Sequence, residues 1–452
     1  MASSDIAETM FKHSLLSLAL IVCVQASHAQ GRCNEDDAGP SRAGRDASMT
    51  DTGNADPRVQ LQELVQLSMQ RSRAIGAVRL LTLAAQADLD ETKASRLPTV
   101  SLGGVGAHIG SIVSGTEVAK GFQGRATVSA SVPIYDSGRI AKLTEWRTQL
   151  AEAARYSQSS AEEQLALQTV TLALDRGRYV LQAQVYTQYV RKMACLVDAL
   201  EIITKADRGR ASELVQAQKS LQQADLSYEQ TLSALRQTEI RMKRFVGDTL
   251  PPSAGMSSVL ARLPDLNELQ QDILLSADVA QVSAQAKAQR SYAESVLAGQ
   301  KPSVSLVATG STAAGASRTT DWSGGVQINI PLLQPGADAQ MTAAVRRSQA
   351  ANLQRDETIE AKRYRLLEMY EAASSSLDRA KRVVDILRNS DRVRASTLQQ
   401  WQQLGKRSLF DVMGAESDYY SLRIAQVNAL FDAQQVVALM WSMGRGVIIP
   451  LR

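Results

Sequence analysis

Few side chains in this chain of 452 residues have the type and spacing that chemistry requires. Of the three histidines only His108 lies beyond the N-terminal region, and the two cysteines beyond that region's apolar stretch, Cys33 and Cys195, are far apart. One histidine and two distant cysteines do not form the usual metal sites, whose ligands recur at short intervals. Phosphate-binding loops and nucleophile elbows are absent from the sequence. We therefore expect neither an enzyme nor a bound cofactor.

The charge balance excludes a second class of function. The 50 basic residues nearly match the 46 acidic residues, which leaves a net charge of +4 without a concentrated basic block. Nucleic-acid binding normally needs a basic patch or stripe. We therefore expect no nucleic-acid partner.

The N-terminal 29 residues have the pattern of an export signal. Lys12 and His13 precede an apolar stretch at 15–24, and Ser27 and Ala29 supply the small residues of a cleavage site. Met10 is an alternative start, because no positive charge precedes it. Lipidation at Cys23 is disfavoured, because Val22 stands where a small residue is needed.

Residues 30–56 follow as a polar segment with almost no apolar residues, which predicts disorder. Cys33 lies in this segment and Cys195 in a helical region. In an oxidising compartment the two could form a disulfide, but their settings favour two single cysteines. No other apolar stretch reaches the roughly 20 residues of a membrane-spanning helix, so a membrane-spanning form would have to be a barrel.

The rest of the chain is an internal repeat of one unit in two copies. Proline-free runs at 134–250 and 336–449 predict very long helices, and each follows two strand-like segments. Pro133 and Pro331 are 198 residues apart, as are Ala217 and Ala415. We predict a first repeat at 57–250, a linker at 251–264 and a second repeat at 265–452.

The strand-like segments, 97–102, 126–134, 301–306 and 326–332, alternate apolar and polar residues. Val326 and Ile328 point one way, and Gln327 and Asn329 point the other. Such strands suit a half-buried soluble sheet or a barrel wall with one lipid face and one water face. Four strands per chain are too few to close a barrel, since about eight is the smallest common number. Other subunits must complete it, and three chains would supply twelve strands.

The helical runs carry apolar residues at alternating intervals of three and four, which is typical of helices that pack side by side. An ordinary bundle shares this spacing. The first run has two interleaved sets: Leu214, Leu221, Tyr228, Leu235 and Met242, with Ala217, Ala224, Thr231, Thr238 and Phe245. The second run has Phe410, Ser417, Ile424, Phe431 and Ala438, with Met413, Tyr420, Val427, Gln434 and Trp441.

Each helical run is interrupted near its middle, at Gly209 and at Gly405. Each glycine is followed by a serine, Ser212 or Ser408, which predicts a turn and a new helix that begins at a serine cap. We expect half-runs of about 50–70 residues, or roughly 75–105 Å of helix each.

In these repeats, strand endings and turns the sequence resembles the TolC-like outer-membrane factor family. The similarity covers nearly all of the chain after Pro57, including residues 132–138 at the end of a strand. It implies an α+β membrane protein, a homotrimer with a twelve-stranded barrel in the outer membrane of a Gram-negative cell, continued by a coiled-coil helical tunnel in the periplasm. It also implies a periplasmic adaptor and an inner-membrane ABC or proton-driven transporter as partners.

The resemblance assigns roles to the turn residues. Gly405, Arg407 and Asp411 match the family's entrance turn, whereas Gly414 replaces a second acidic residue found in its best-known members. Glu213 is the first-repeat counterpart of Asp411. Both acidic residues either line the periplasmic entrance or are helix-start residues favoured by the helix dipole.

The basic residues and small residues around the two turns have a separate expected role. We expect adaptor docking at both tips, although solvated surface charge is the alternative. The tip residues are Gly209, Arg210, Gly405, Lys406, Arg407 and Ser408.

The predicted function is therefore an export duct, for protein in type I secretion or for small molecules in efflux. The alternative is a structural or adhesive periplasmic coiled coil whose strands form a small soluble sheet.

Overall fold

The computed structural model describes residues 56–113, 116–251, 255–401 and 407–451. The predicted signal peptide 1–29, nearly all of the polar segment 30–56, and Gly405 and Lys406 lie outside these ranges.

The described elements occur in one order, twice. The first set is α1 (Pro57–Arg71), α2 (Arg73–Ala94), β1 (Thr99–Val113), β2 (Thr116–Tyr135), α3 (Arg139–Ala206) and α4 (Ala211–Val246). The second set is α5 (Leu266–Leu274), α6 (Ala277–Gly299), β3 (Ser303–Gly315), β4 (Thr319–Asn329), α7 (Ala337–Gln399) and α8 (Leu409–Ser442). The 198-residue offset seen in the sequence recurs at the helix starts, from residue 139 to 337 and from 211 to 409.

A left-handed glycine starts each of the two longest helices. Gly138 precedes α3 with φ of 83°, and Gly336 precedes α7 with φ of 93°. Residues other than glycine rarely adopt this region, so glycine permits the sharp change from strand to helix. In the first repeat Asp136 also accepts hydrogen bonds from the N–H groups of Gly138 and Ile140.

The helices form an array of four columns. Helices α3 and α7 each occupy one column, and α3 at 68 residues is about 100 Å long. Near the sheet α2 packs on α3, while α6 packs between α3 and α7; farther away α4 and α8 take the corresponding places. Near the middle of the long helices α4 ends beside the start of α2, and α8 ends beside the start of α6.

The largest hydrophobic core lies at this middle level. Buried residues of α1, α3, α4, α5, α7 and α8 meet there, and the predicted linker contributes Met256, Val259 and Leu260. Leu451, the last residue that the structure describes, is buried in the same core, and the Gln62 side chain donates a hydrogen bond of 2.8 Å to its carbonyl. The core joins the two repeats.

The first halves of the helical runs agree with the predicted length, but the second halves do not. Helices α4 and α8 have 36 and 34 residues, fewer than the 50 expected. Gly247, with φ of 111°, ends α4, and α8 ends before a glycine-containing turn that carries the chain back to the core.

The predicted seam is buried in part. In α4 the small set Ala217, Ala224, Thr231 and Thr238 is buried. In α8 burial extends over two sides, because the helix lies between α3 and α7. Phe410, also assigned to the seam, is nearly half exposed in the single chain.

Two further properties concern the helices. Within the described part of the chain, none of the helices combines the length and apolarity needed to cross a membrane. Cys195 on α3 is disulfide-bonded. The expectation of two single cysteines is therefore wrong for Cys195, because separation in sequence does not decide which residues meet in a folded chain; Cys33 lies outside the described residues.

Candidate functional site

The four strands form one antiparallel sheet in the order β1-β2-β3-β4. All four are longer than the segments recognised in the sequence, because pairing continues into stretches rich in glycine, alanine and serine that carry little strand preference. Ile330 and Leu332, expected in the last strand, lie beyond its end at Asn329.

One face of the sheet is apolar. Directly paired residues share a face, and alternate residues along a strand point to opposite faces. The pairs Leu102 with Val128, and Leu306 with Val326, belong to one face. That face also carries Val100, Ala130, Val132, Val304, Ala308, Trp322 and Ile328, with His108 and Phe122 near the β1–β2 turn.

The other face is lined mainly by hydroxyl and amide side chains. Ser101, Ser129, Thr309 and Ser323 pair successively across all four strands. The Ser101 and Ser129 oxygens are 2.7 Å apart, as are those of Thr309 and Ser323. The predicted alternation of Val326 and Ile328 with Gln327 and Asn329 is confirmed by this register.

No other element of the described chain covers the apolar face. Trp322 is 87% exposed and every residue of β4 is exposed. Strands β1 and β4 each have one edge without a partner strand among the described residues. An apolar sheet face and two open edges normally require a covering layer and further strands.

At the opposite end of the array the two helical turns lie together. Buried residues from the end of α3, the start of α4, the end of α7 and the start of α8 share one cluster. Leu200, Ala217, Leu398 and Leu409 represent these four helices. The structure therefore brings the two predicted tips to the same end of the molecule.

The second tip has the predicted serine cap. The Ser408 hydroxyl accepts a hydrogen bond from the Asp411 N–H, and the Asp411 carboxylate accepts one of 3.1 Å from the Ser408 N–H. This reciprocal arrangement is a capping box. The guanidinium of Arg407 lies 3.9 Å from the same carboxylate, and both side chains are about half exposed. These contacts are those of a helix-start residue that remains accessible to solvent.

The first tip differs from its prediction. Gly209 lies in a short 3-10 turn (Arg208–Arg210) rather than in a left-handed turn, and its N–H donates to Asp207 at 3.0 Å. Arg210 is the residue before α4 and makes no capping bond with its side chain, so the expected cap at Ser212 is wrong. Asp207 already supplies the side-chain acceptor for this turn. Glu213 lies in the first turn of α4, as its offset from Asp411 predicts.

A buried ionic cluster between the tips and the central core was missed. Glu416 on α8 is fully buried, with Lys192 of α3 at 3.7 Å and Arg394 of α7 at 3.4 Å. Arg394 also lies over the Tyr419 ring at 4.3 Å. Such a pair is costly to break because one charge would remain buried alone. Glu416 lies three residues after Met413 and four before Tyr420, both predicted seam positions, and this spacing was the available signal.

A cavity of about 540 Å³ lies where α6 begins and α8 ends. Lys362 of α7 donates to Ser276 at 2.8 Å and pairs with Asp278, and burial lowers the pKa of Lys362. Burial raises the pKa of Glu163, which accepts a hydrogen bond from the Val447 N–H at 2.6 Å. These polar groups hold the C-terminal turn and the start of α6 against the long helices.

The described residues contain no group of three or more His, Cys, Asp or Glu side chains placed to hold a metal ion. The candidate functional surfaces are the two-faced sheet at one end of the molecule and the two helical tips at the other.

Comparisons with known proteins find matches to the structure of this chain but not to its sequence. No protein-family model matches the chain, and no curated protein matches it. Solved structures do match. CusC, described as forming a transmembrane channel, is 19% identical over 85% of this chain and 92% of its own, with a TM-score of 0.76.

Two further structures match to a similar degree. The outer membrane protein VceC of Vibrio cholerae is 17% identical over 86% of this chain and 97% of its own, with a TM-score of 0.74. The Neisseria gonorrhoeae MtrE outer membrane channel in its open state is 16% identical over 86% of this chain and 89% of its own, with a TM-score of 0.72.

The chain thus has the fold of the outer-membrane channel proteins. The resemblance to TolC-like outer-membrane factors is confirmed at the level of the fold. Long helices and four strands per chain, both predicted, are present.

Proposed function

We propose that this protein is the outer-membrane exit duct of a tripartite export system. Three copies would join their sheets into a twelve-stranded barrel in the outer membrane of a Gram-negative cell, and their helices would form a tunnel into the periplasm. An inner-membrane ABC or proton-driven transporter would deliver protein or small molecules through a periplasmic adaptor. In this role the chain is a passive conduit and not an enzyme.

The uncovered sheet carries this proposal. Its apolar face suits lipid, its hydroxyl-lined face suits a water-filled lumen, and its two open edges suit strands from neighbouring copies. A barrel leaves no unpaired edge in the bilayer, which explains why completion is needed. The two repeats, 57–250 and 265–452, would each supply two strands and one side of the tunnel wall.

The flanks of the helical array support assembly from several copies. Helices α2 and α4 form one flank and α7 the other, and each carries large apolar side chains exposed to solvent. Leu80 and Ile240 lie on the first flank and Leu353 on the second, all more than 60% exposed. Side-by-side packing of three arrays would bury these residues.

The testing experiment is expression with an export signal, membrane fractionation and reconstitution. We expect the protein in the outer-membrane fraction as a trimer that persists in mild detergent, and channel conductance in planar bilayers. Recovery as a soluble monomer without conductance would instead support the structural or adhesive coiled coil.

We also propose that the two tips dock the adaptor. Arg208, Arg210 and Arg407 place positive charge at this end, and the Ser408 hydroxyl lies beside it. Because exposed ion pairs contribute only about 0–1 kcal/mol each, shape at the turns must supply most of the affinity. Lys406 and Gly405 belong to the same proposed tip by their positions in the sequence.

Crosslinking in cells tests the docking surface. A cysteine introduced by Ser408→Cys should crosslink to the adaptor, whereas the matched control Ser323→Cys, in the sheet, should not. Because the native cysteines could react as well, the unsubstituted protein serves as the blank. Adaptor crosslinks confined to position 323 would refute both the surface and the orientation.

A further inference from the structure

The polar face of the sheet carries one positive and one negative side chain on its described residues. Arg125 of β2 pairs with Ala313 of β3, and Asp321 of β4 pairs with Ser311. Strand alternation places both on the face of the hydroxyl row, and both side chains are exposed. Neither makes an ion pair or hydrogen bond with another described residue.

The remaining side chains of that face are neutral. They are mostly serine, threonine, glutamine and asparagine, with glycine, alanine and the apolar residues Val105, Ile109, Pro133 and Val307 between them. Among the strand residues whose side chains the structure describes, Arg125 and Asp321 are therefore the charged groups of this face, because Lys120 pairs with Gly110 on the other face.

Arg125 and Asp321 lie in adjacent rows of the sheet and are two strands apart. Asp321 belongs to the row Gly103–Thr127–Ser311–Asp321, and Arg125 to the adjacent row on the same face. Two residues along a strand correspond to about 7 Å, and two strands to about 10 Å. In a closed barrel of three copies, β4 of one copy would neighbour β1 of the next, so the step from Asp321 to the next Arg125 is again two strands.

We propose that Arg125 and Asp321 form a ring of alternating charges around the barrel lumen, which makes the outer-membrane exit indifferent to the sign of its cargo. This inference rests on the proposed duct. Three positive and three negative charges at equal intervals cancel near the axis, because each contribution is offset by its neighbours. Discrimination between cations and anions must then arise elsewhere along the duct, and neutral, anionic and cationic cargo would pass the barrel alike.

A single substitution that removes the charges of one sign should leave the charges of the other sign uncompensated. Asp321→Asn leaves three arginines and should shift the reversal potential toward anion selectivity, measured in planar bilayers under a salt gradient. Arg125→Gln leaves three aspartates and should shift it toward cation selectivity. A wall with one sign of charge concentrates counter-ions, so each shift should correspond to a several-fold change in permeability ratio that declines at high salt.

Two double variants make the test specific. Arg125→Gln with Asp321→Asn should restore the parent reversal potential, and so should the exchange Arg125→Asp with Asp321→Arg. Thr320→Asn, one residue away on the apolar face, is the control that should change nothing. If the single variants form conducting trimers with the reversal potential of the parent protein, the proposed ring is wrong. It is also wrong if the double variants fail to restore the parent reversal potential. Absence of conducting trimers from the unsubstituted protein would instead overturn the duct itself.

Discussion

Val128→Arg should abolish assembly of the membrane-inserted trimer, whereas Ser129→Arg should be tolerated. Val128 lies on the apolar face between Leu102 and Gly310, and Ser129 is the next residue on the hydroxyl-lined face. If the apolar face meets lipid, an arginine there costs about 2–4 kcal/mol per chain near the middle of the bilayer. In a trimer this cost is incurred three times, while an arginine in a water-filled lumen remains solvated.

The measurement is the fraction of detergent-stable trimer in outer membranes, at matched expression. The same comparison on β4, Val326→Arg against Gln327→Arg, repeats the test on an edge strand. Trimers that tolerate arginine at Val128 and Val326 but fail at Ser129 would reverse the two faces. Equal tolerance at all four positions would argue for a sheet that meets water on both sides.

Asp411→Asn should weaken cation selectivity if three copies bring this carboxylate to the narrow end of the tunnel. Asparagine keeps an oxygen that can accept from the Ser408 N–H, so the helix start is preserved while the charge is removed. Converging carboxylates attract cations, and their loss should reduce block by divalent or trivalent cations. Arg407→Gln should act in the opposite direction, because Arg407 partly offsets the carboxylate.

Planar-bilayer reversal potentials, with and without multivalent cations, decide between the two roles of Asp411. Asp385→Asn, which removes an exposed α7 carboxylate paired with Arg388, is the matched control and should leave selectivity unchanged. A normal selectivity in Asp411→Asn would return Asp411 to a helix-start role. In that case Asp411→Ala would act only through stability, by about 0.3–1 kcal/mol for a first-turn charge.

In the proposed duct, the sheet end would not select ions by charge, whereas the helical end would favour cations. The sheet carries one positive and one negative side chain on its polar face, Arg125 and Asp321, and the start of α8 carries an exposed carboxylate at Asp411. Between them, the buried contact of Glu416 with Lys192 and Arg394 joins α3, α7 and α8. Because this contact joins the helices that lead to the tips, the position of the tips depends on how these helices pack.

The sequence by itself determined the repeated order of elements, the long helices and the alternation of the strands. These features are local: the absence of proline permits long helices, and alternate apolar residues define the faces of a strand. The cap at Ser408 is local as well: it was predicted from the serine that follows Gly405, and its partner Asp411 is only three residues away.

Only the tertiary structure decided which distant residues meet. The cluster of Glu416 with Lys192 and Arg394 joins residues separated by up to 224 positions, and no local pattern specifies such a contact. The failed cap at Ser212 has a different, local origin: the Asp207 side chain, two residues before Gly209, already supplies the acceptor for this turn. The placement of Arg125 and Asp321 in adjacent rows of one face depends on strand register, which is set by pairing across the whole sheet. The apolar periodicity of helices and strands can be read from the sequence, whereas strand register and side-chain burial depend on how these elements pack.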